Sequence, residues 1–134
     1  TSGILCMPSS SVTEALKGAA AAKSCGYLSY DNTFGQLFGR GLKSGDRLSK
    51  SWKDNSILNL VNTKSPNDLR KVRYWIDCGD DDFLTKGNCL LHIAMTEKQI
   101  PHEFRVRDGA HNWTYWRTGI TDALQFMGDS FRQK

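Results

Sequence analysis

Two runs of β-branched and aromatic residues, "VRYWIDCG" (Val72 to Gly79) and "HEFRVR" (His102 to Arg107), flank a stretch with a different period. In that stretch, "GNCLLHIAMTEKQI", the residues Leu90, Leu91, Ala94 and Met95 recur at helical spacing. Strand, helix and strand in this order predict a crossover connection between parallel strands, and hence an α/β layer architecture.

The flanking chain extends the pattern. "GILCM" (Gly3 to Met7) is a short apolar run that reads as a buried strand. Ser11, with Glu14 three residues on, is a capping-box pattern ahead of an Ala-rich helix. Residues 26–62 are rich in Gly, Asn, Asp and Ser with scattered aromatics, which predicts an irregular or short-helical, cap-like excursion. "SPNDLRK" offers Ser65 as N-cap, Pro66 at the first helical position and Asp68 in the first turn. "TGITDALQFMGDSF" carries Ile120, Ala123, Leu124, Met127 and Phe131 on one helical face. Only three strands are visible, and parallel strands need both faces covered. Residues 1–134 therefore read as a single but incomplete α/β domain, with 63–134 as its second half.

Composition narrows the function classes. At 134 residues, 39% hydrophobic and 24% charged, the chain has the make-up of an ordinary globular domain. Its net charge of +4 is spread among interspersed acids, which argues against a nucleic-acid partner. No run of eighteen apolar residues occurs, so no membrane helix is predicted. Cys6, Cys25, Cys78 and Cys89 show no CxxC spacing, which favours buried free thiols over a zinc site. Two disulfides stay open if the protein is exported. The chain begins with Thr and shows no signal-peptide core, so it reads as a processed product, a recombinant piece or a fragment, and its compartment stays open between cytoplasmic and exported.

In open α/β sheets, functional groups gather in loops past the carboxyl ends of strands. Two such loops stand out: "CGDDDFL" after the first strong strand and "DGAHNW" after the second. An acid in one and His111 in the other could meet above adjacent strands. A carboxylate on one imidazole nitrogen fixes the tautomer and leaves the other nitrogen as a general base. Competing readings are a solvated triple-Asp turn, a weak cation site, or a structural histidine beside tryptophans. The calcium-loop pattern is not matched.

"IDCGDDDFLTKGN" followed by "IPHEFRVRDGAHNWTYWR" resembles the C-terminal part of an α/β-hydrolase esterase family. That family includes tributyrin-type, feruloyl and acetyl-xylan esterases, S-formylglutathione hydrolase, siderophore esterases and mycolyltransferases. The resemblance lies in a "CGxxDFL"-like acid loop and a "GxHxWxYW"-like histidine loop, and runs from about Trp52 to Phe131. It implies a three-layer α/β-hydrolase-type parallel sheet, of which this chain is the C-terminal part. It assigns Asp82 as the triad acid and His111 as the triad base, and sets Trp113 and Trp116 at the border of a substrate pocket. Asp80 and Asp81 fall at variable positions as solvated or orienting groups, and His92 and His102 read as structural. The implied substrate is a carboxylic ester, including acylated or feruloylated polysaccharide, with no cofactor and no metal.

Such an esterase needs a serine on a G-x-S-x-G strand–turn–helix elbow, where small flanking residues relieve crowding. No GxSxG occurs in the 134 residues. The nearest imitation is Ser9 in "ILCMPSSS", with bulky Met7 two residues before it; Ser10, flanked by Pro8 and Val12, fits worse. The expectation is therefore a hydrolase half whose nucleophile and partner surface come from a missing N-terminal half or from another copy. The alternative is a non-catalytic remnant or interaction module.

Overall fold

The computed structural model describes residues 34–132 apart from 44, 45 and 48. The strand predicted at Gly3–Met7, the helix after Ser11, and Ser9 itself lie outside the described residues. The elements are α1 (Gly35–Phe38), α2 (Lys50–Asp54), α3 (Ile57–Thr63), α4 (Pro66–Leu69), β1 (Tyr74–Gly79), α5 (Thr85–Glu97), β2 (His102–Arg107) and α6 (Trp113–Arg132). This is a mixed α/β arrangement with a short parallel sheet. The pairing runs from Tyr74 opposite His102 to Gly79 opposite Arg107.

Strand alternation sorts the side chains of β1 and β2 onto two different helices. Tyr74 and Ile76 point toward α5 and pack on Met95, Ala94 and Ile100, with Val61 of α3 closing the same cluster. Met95 is 1% exposed and is the centre of this core. On the opposite face Trp75 meets Phe126 of α6, with ring centroids 5.4 Å apart. Arg105 lies over Trp75, and Arg73 lies over Phe126. The face toward α5 is thus apolar, while the face toward α6 mixes aromatic and charged groups.

Three boundaries differ from the sequence expectation, each for a local reason. Strand β1 starts at Tyr74 rather than Val72, because the ladder's first pair is Tyr74 with His102. The residue before His102 is Pro101, which has no N–H to extend the pairing. Helix α5 stops at Glu97 in a Schellman turn: Ile100 N–H donates to Met95 O at 2.9 Å and Gln99 N–H to Thr96 O at 2.9 Å. Gln99 takes the left-handed conformation there (φ 54°), a place usually held by glycine, so the stop carries no glycine signal. Arg70 also donates to the freed carbonyls of Lys98 and Gln99, each at 3.1 Å.

Helix α6 begins at Trp113, five residues before the stretch whose periodicity announced it. Asn112 is its N-cap, accepting from Tyr115 N–H at 3.0 Å. Part of the 26–62 excursion turns out to be short-helical and built into the core. Trp52 is fully buried between Phe34 and Phe38, and Leu84 of the acid loop packs on the same cluster. Ser65 caps α4 and Pro66 opens it, as the local sequence predicts.

Met95→Ala should destabilise the chain by about 2–5 kcal/mol in urea unfolding, since it empties the centre of the core. Gln99→Gly should stabilise it by up to about 1 kcal/mol, since it removes the left-handed strain at the helix stop.

Candidate functional site

The carboxyl ends of β1 and β2 are joined backbone to backbone. Asp80 N–H donates to Arg107 O at 2.9 Å, and Asp81 N–H donates to Gly109 O at 3.0 Å. Gly109 N–H returns a bond to the Asp80 carboxylate at 3.0 Å. The approach is so close that a Cβ at Gly79 would overlap the Gly109 carbonyl. Gly109 itself sits at φ 136°, where a side chain is strained, and a Cβ there would come within 2.7 Å of the Tyr115 ring. These two glycines let the acid loop and the histidine loop lie against one another.

That contact brings Asp82 and His111 together. Asp82 Oδ2 lies 2.8 Å from His111 Nδ1. The other carboxylate oxygen accepts from Leu84 N–H at 2.9 Å, which sets the plane of the acid. The Asp82 side chain is 6% exposed and that of His111 26% exposed. The imidazole packs against Phe83 (5.0 Å between centroids) and edge-on to Trp116 (4.8 Å). With Nδ1 turned to Asp82, no hydrogen bond among the described residues engages Nε2. A ring held on both flanks, with one nitrogen tied to a carboxylate, can accept a proton at the other.

Trp113 and Trp116 occupy one face of the first turn of α6 rather than a loop, with ring centroids 5.1 Å apart. Both are exposed, Trp113 by 68%, and with Phe83 they form an open aromatic rim beside His111. A groove of about 220 Å³ between Trp52, Ser56 and Asn59 lies away from this rim. Asp80 orients the histidine loop through Gly109. Among the described residues, Asp80, Asp81 and Asp108 place exposed carboxylate oxygens within 4.8 Å of one another.

His92 and His102 are tied to each other. The Ile100 carbonyl can only accept, so His102 Nδ1 donates to it at 2.7 Å. In the neutral ring His102 Nε2 then accepts from His92 Nδ1 at 2.7 Å, while His92 stacks on Phe104. Cys78 and Cys89 are free thiols; burial pushes the Cys78 thiol above its ordinary value. Cys6 and Cys25 lie outside the described residues.

Sequence reasoning missed a second polar cluster, under the first turns of α6. The Asp77 carboxylate, 12% exposed, takes the Arg107 guanidinium on Oδ2 and the Tyr115 hydroxyl on Oδ1 at 2.5 Å. Arg107 also reaches Asp122 at 3.2 Å. Desolvation together with the hydrogen bond to Asp77 lifts the Tyr115 phenol to about 12, so it remains a donor. Arg107 also lies above its ordinary value: desolvation pulls it down, but the bonds and charges of Asp77 and Tyr115 outweigh this. A sequence signal existed in Asp77 and Arg107, which sit two registers apart on the same sheet face.

No family model matches the chain. An acetyl esterase from Caldicellulosiruptor saccharolyticus is 27% identical over 126 residues, covering 93% of this chain and 44% of the relative. The uncharacterized protein YjcH of Bacillus subtilis (strain 168) is 28% identical over 111 residues, covering 75% of this chain and 42% of the relative. Among solved structures, a ferulic acid esterase matches with a TM-score of 0.55 and 38% identity, covering 63% of this chain and 34% of that one. The chain is homologous to the C-terminal part of α/β-hydrolase esterases. It spans less than half the length of these relatives. Among the described residues, no helix is long and apolar enough to cross a membrane.

Gly79→Ala should be among the most damaging small substitutions, at or above the ~1–3 kcal/mol typical of overpacking, because backbone rather than a side chain must move. Circular dichroism and urea unfolding would check this. The Tyr115 value gives a pH signature. A phenol raised from 10.0 to about 12 on folding contributes stability that is complete below pH 10 and lost as pH rises through 12. Tyr115→Phe should remove that part of the alkaline loss, read from unfolding midpoints alongside phenolate absorbance.

Proposed function

We propose that this chain carries the acid and the base of a serine ester hydrolase, with His111 as general base and Asp82 as its orienting carboxylate. The observation that carries the reading is the 2.8 Å contact between His111 Nδ1 and a buried Asp82, with Nε2 uncommitted among the described residues. In the proposed cycle a serine Oγ attacks the ester carbonyl and its proton passes to His111 Nε2. The alcohol leaves with that proton. Water then attacks the acyl-enzyme, losing a proton to His111, which returns it to the serine Oγ as the acyl–Oγ bond breaks and the acid product departs. Asp82 holds the tautomer and supports the transient imidazolium. Backbone donors for the oxyanion come with the serine's own segment.

The serine is assigned to a segment outside these 134 residues, which contain no GxSxG elbow. That segment is either a preceding half of the same hydrolase or part of a partner chain. Ser9, with Met7 where the elbow requires a small residue, is the weakest fit. The substrate is a carboxylic ester. An acetyl or feruloyl ester on a polysaccharide is supported by the names of the two esterase relatives. It is also supported by the exposed rings of Phe83, Trp113 and Trp116, flat surfaces suited to an aromatic acyl group or a sugar face.

A second reading is a non-catalytic interaction module. It is favoured by the exposed apolar residues Trp113, Ile120, Leu124 and Phe131 spaced along α6, a stripe suited to another chain or a second copy.

With p-nitrophenyl acetate the chain alone should show no turnover, and adding a segment that carries a GxSxG elbow should restore it. In the restored enzyme, His111→Ala and Asp82→Asn should each lower kcat on the order of 10²–10⁴-fold. Full activity of the His111→Ala enzyme would refute the reading. Turnover by the chain alone, abolished by Ser9→Ala, would place the nucleophile inside it.

A further inference from the structure

The cluster of Asp77, Arg107 and Tyr115 lies on the sheet face covered by α6, next to the histidine loop, and the proposed ester chemistry does not use it. Its links run to three elements. Asp77 is in β1, Arg107 is the last residue of β2, and Tyr115 is in the first turn of α6. Gly119, one turn further along α6, leaves room for the cluster: a Cβ there would lie 2.9 Å from the Arg107 guanidinium and 3.3 Å from the Asp77 carboxylate. The Tyr115 ring underlies Gly109, and its backbone N–H is bound by Asn112, the residue that follows His111.

As a source of stability the cluster is poorly built. Asp77 is largely withdrawn from water, and the buried Arg107 Nε has no hydrogen-bond partner among the described residues. With the Arg107 side chain 36% exposed, solvent screens the pair, and ion pairs this open to water add little stability. Their directional bonds do, however, fix angles that apolar contacts leave free. The angle at stake is that of the first turn of α6, and through Asn112 that of His111.

We infer that Tyr115, held by Asp77 and Arg107, is a positioning residue that keeps His111 Nδ1 aimed at Asp82. The inference rests on the reading of Asp82 and His111 as the acid and base. The phenol hydroxyl fixes the rotation of the helix start, and the ring supports the Gly109 turn from below. The backbone bonds between the two loops set how close His111 comes to Asp82; the Tyr115 clamp sets the direction in which its ring faces. A misplacement of about 1 Å at such a group can cost about 10²-fold in rate, so small changes in this direction matter.

The test needs no nucleophile, because it reads the histidine itself. In the 134-residue chain labelled with ¹⁵N, the His111 Nδ1–H should give a protected, hydrogen-bonded proton resonance, with ring ¹⁵N shifts of a single tautomer. Tyr115→Phe keeps the ring and removes the hydroxyl, and Asp77→Asn keeps an acceptor and removes the charge. Both should abolish the protected resonance and produce a mixture of tautomers, while the His92 and His102 signals stay as they were. An unchanged His111 signal in both variants overturns the proposal. So does the simultaneous loss of the His92 and His102 signals, which would mark a general stabilising role. Asp82→Ala, which removes the acceptor, separates the two levels. If it removes the His111 resonance while Tyr115→Phe does not, the acid–base pair stands and the positioning role falls. If Asp82→Ala leaves the resonance intact, the pair itself falls.

Discussion

Everything at the top of the sheet depends on two glycines meeting across parallel strands. Gly79 ends β1, and Gly109 turns the chain just beyond β2; with any side chain at Gly79 the backbones could not touch. Because they touch, the amides of Asp80 and Asp81 find acceptors in Arg107 and Gly109, and the Asp80 carboxylate finds an amide. Backbone groups that would otherwise be solvated loop ends become a small extension of the ladder. Asp82 and His111 then emerge from a rigid base at hydrogen-bond distance.

The two sides of the sheet divide the work. The face toward α5 is an apolar core around Met95, strengthened by α3 and closed by the Schellman turn at Gln99. The face toward α6 is sparse in apolar contact and rich in directed bonds from Asp77, Arg107 and Tyr115. Apolar packing holds α5, whereas the bonds of Arg107 and Tyr115 to Asp77 tie the start of α6 to the sheet. It is the second helix that follows the histidine. From the other side, Leu84 rests on the Phe34–Trp52 cluster, so the excursion before β1 supports the acid loop.

Much of this was legible in the residues. The strands "YWIDCG" and "HEFRVR" and the crossover helix between them follow from periodicity, because burial on a pleated sheet and on a helix imposes different repeats. The boundaries were less legible. Gln99 takes a role that glycine usually advertises, and Asn112 starts a helix inside a stretch whose aromatic residues suggest a loop. At the site, the order of the acid and histidine loops marked Asp82 and His111. Nothing in the local pattern singled out Tyr115, or paired Asp77 with Arg107. Alternation states which residues share a side of a strand, but not what covers that side.

The sequence by itself determined the crossover, the parallel direction of the strands, the loops at their carboxyl ends and the kinship with part of the esterases. These follow from local periodicity and from motifs whose residues lie close along the chain. Only the tertiary structure decided that the Asp82 carboxylate turns to His111 Nδ1, that Trp113 and Trp116 stand on a helix face, and that Asp77, Arg107 and Tyr115 meet beneath the histidine loop. The reason is physical: each of these depends on partners 29 or more residues apart in the chain, or on a helix start set by one side-chain cap. Their geometry exists only once the sheet has paired and the helix has packed across it.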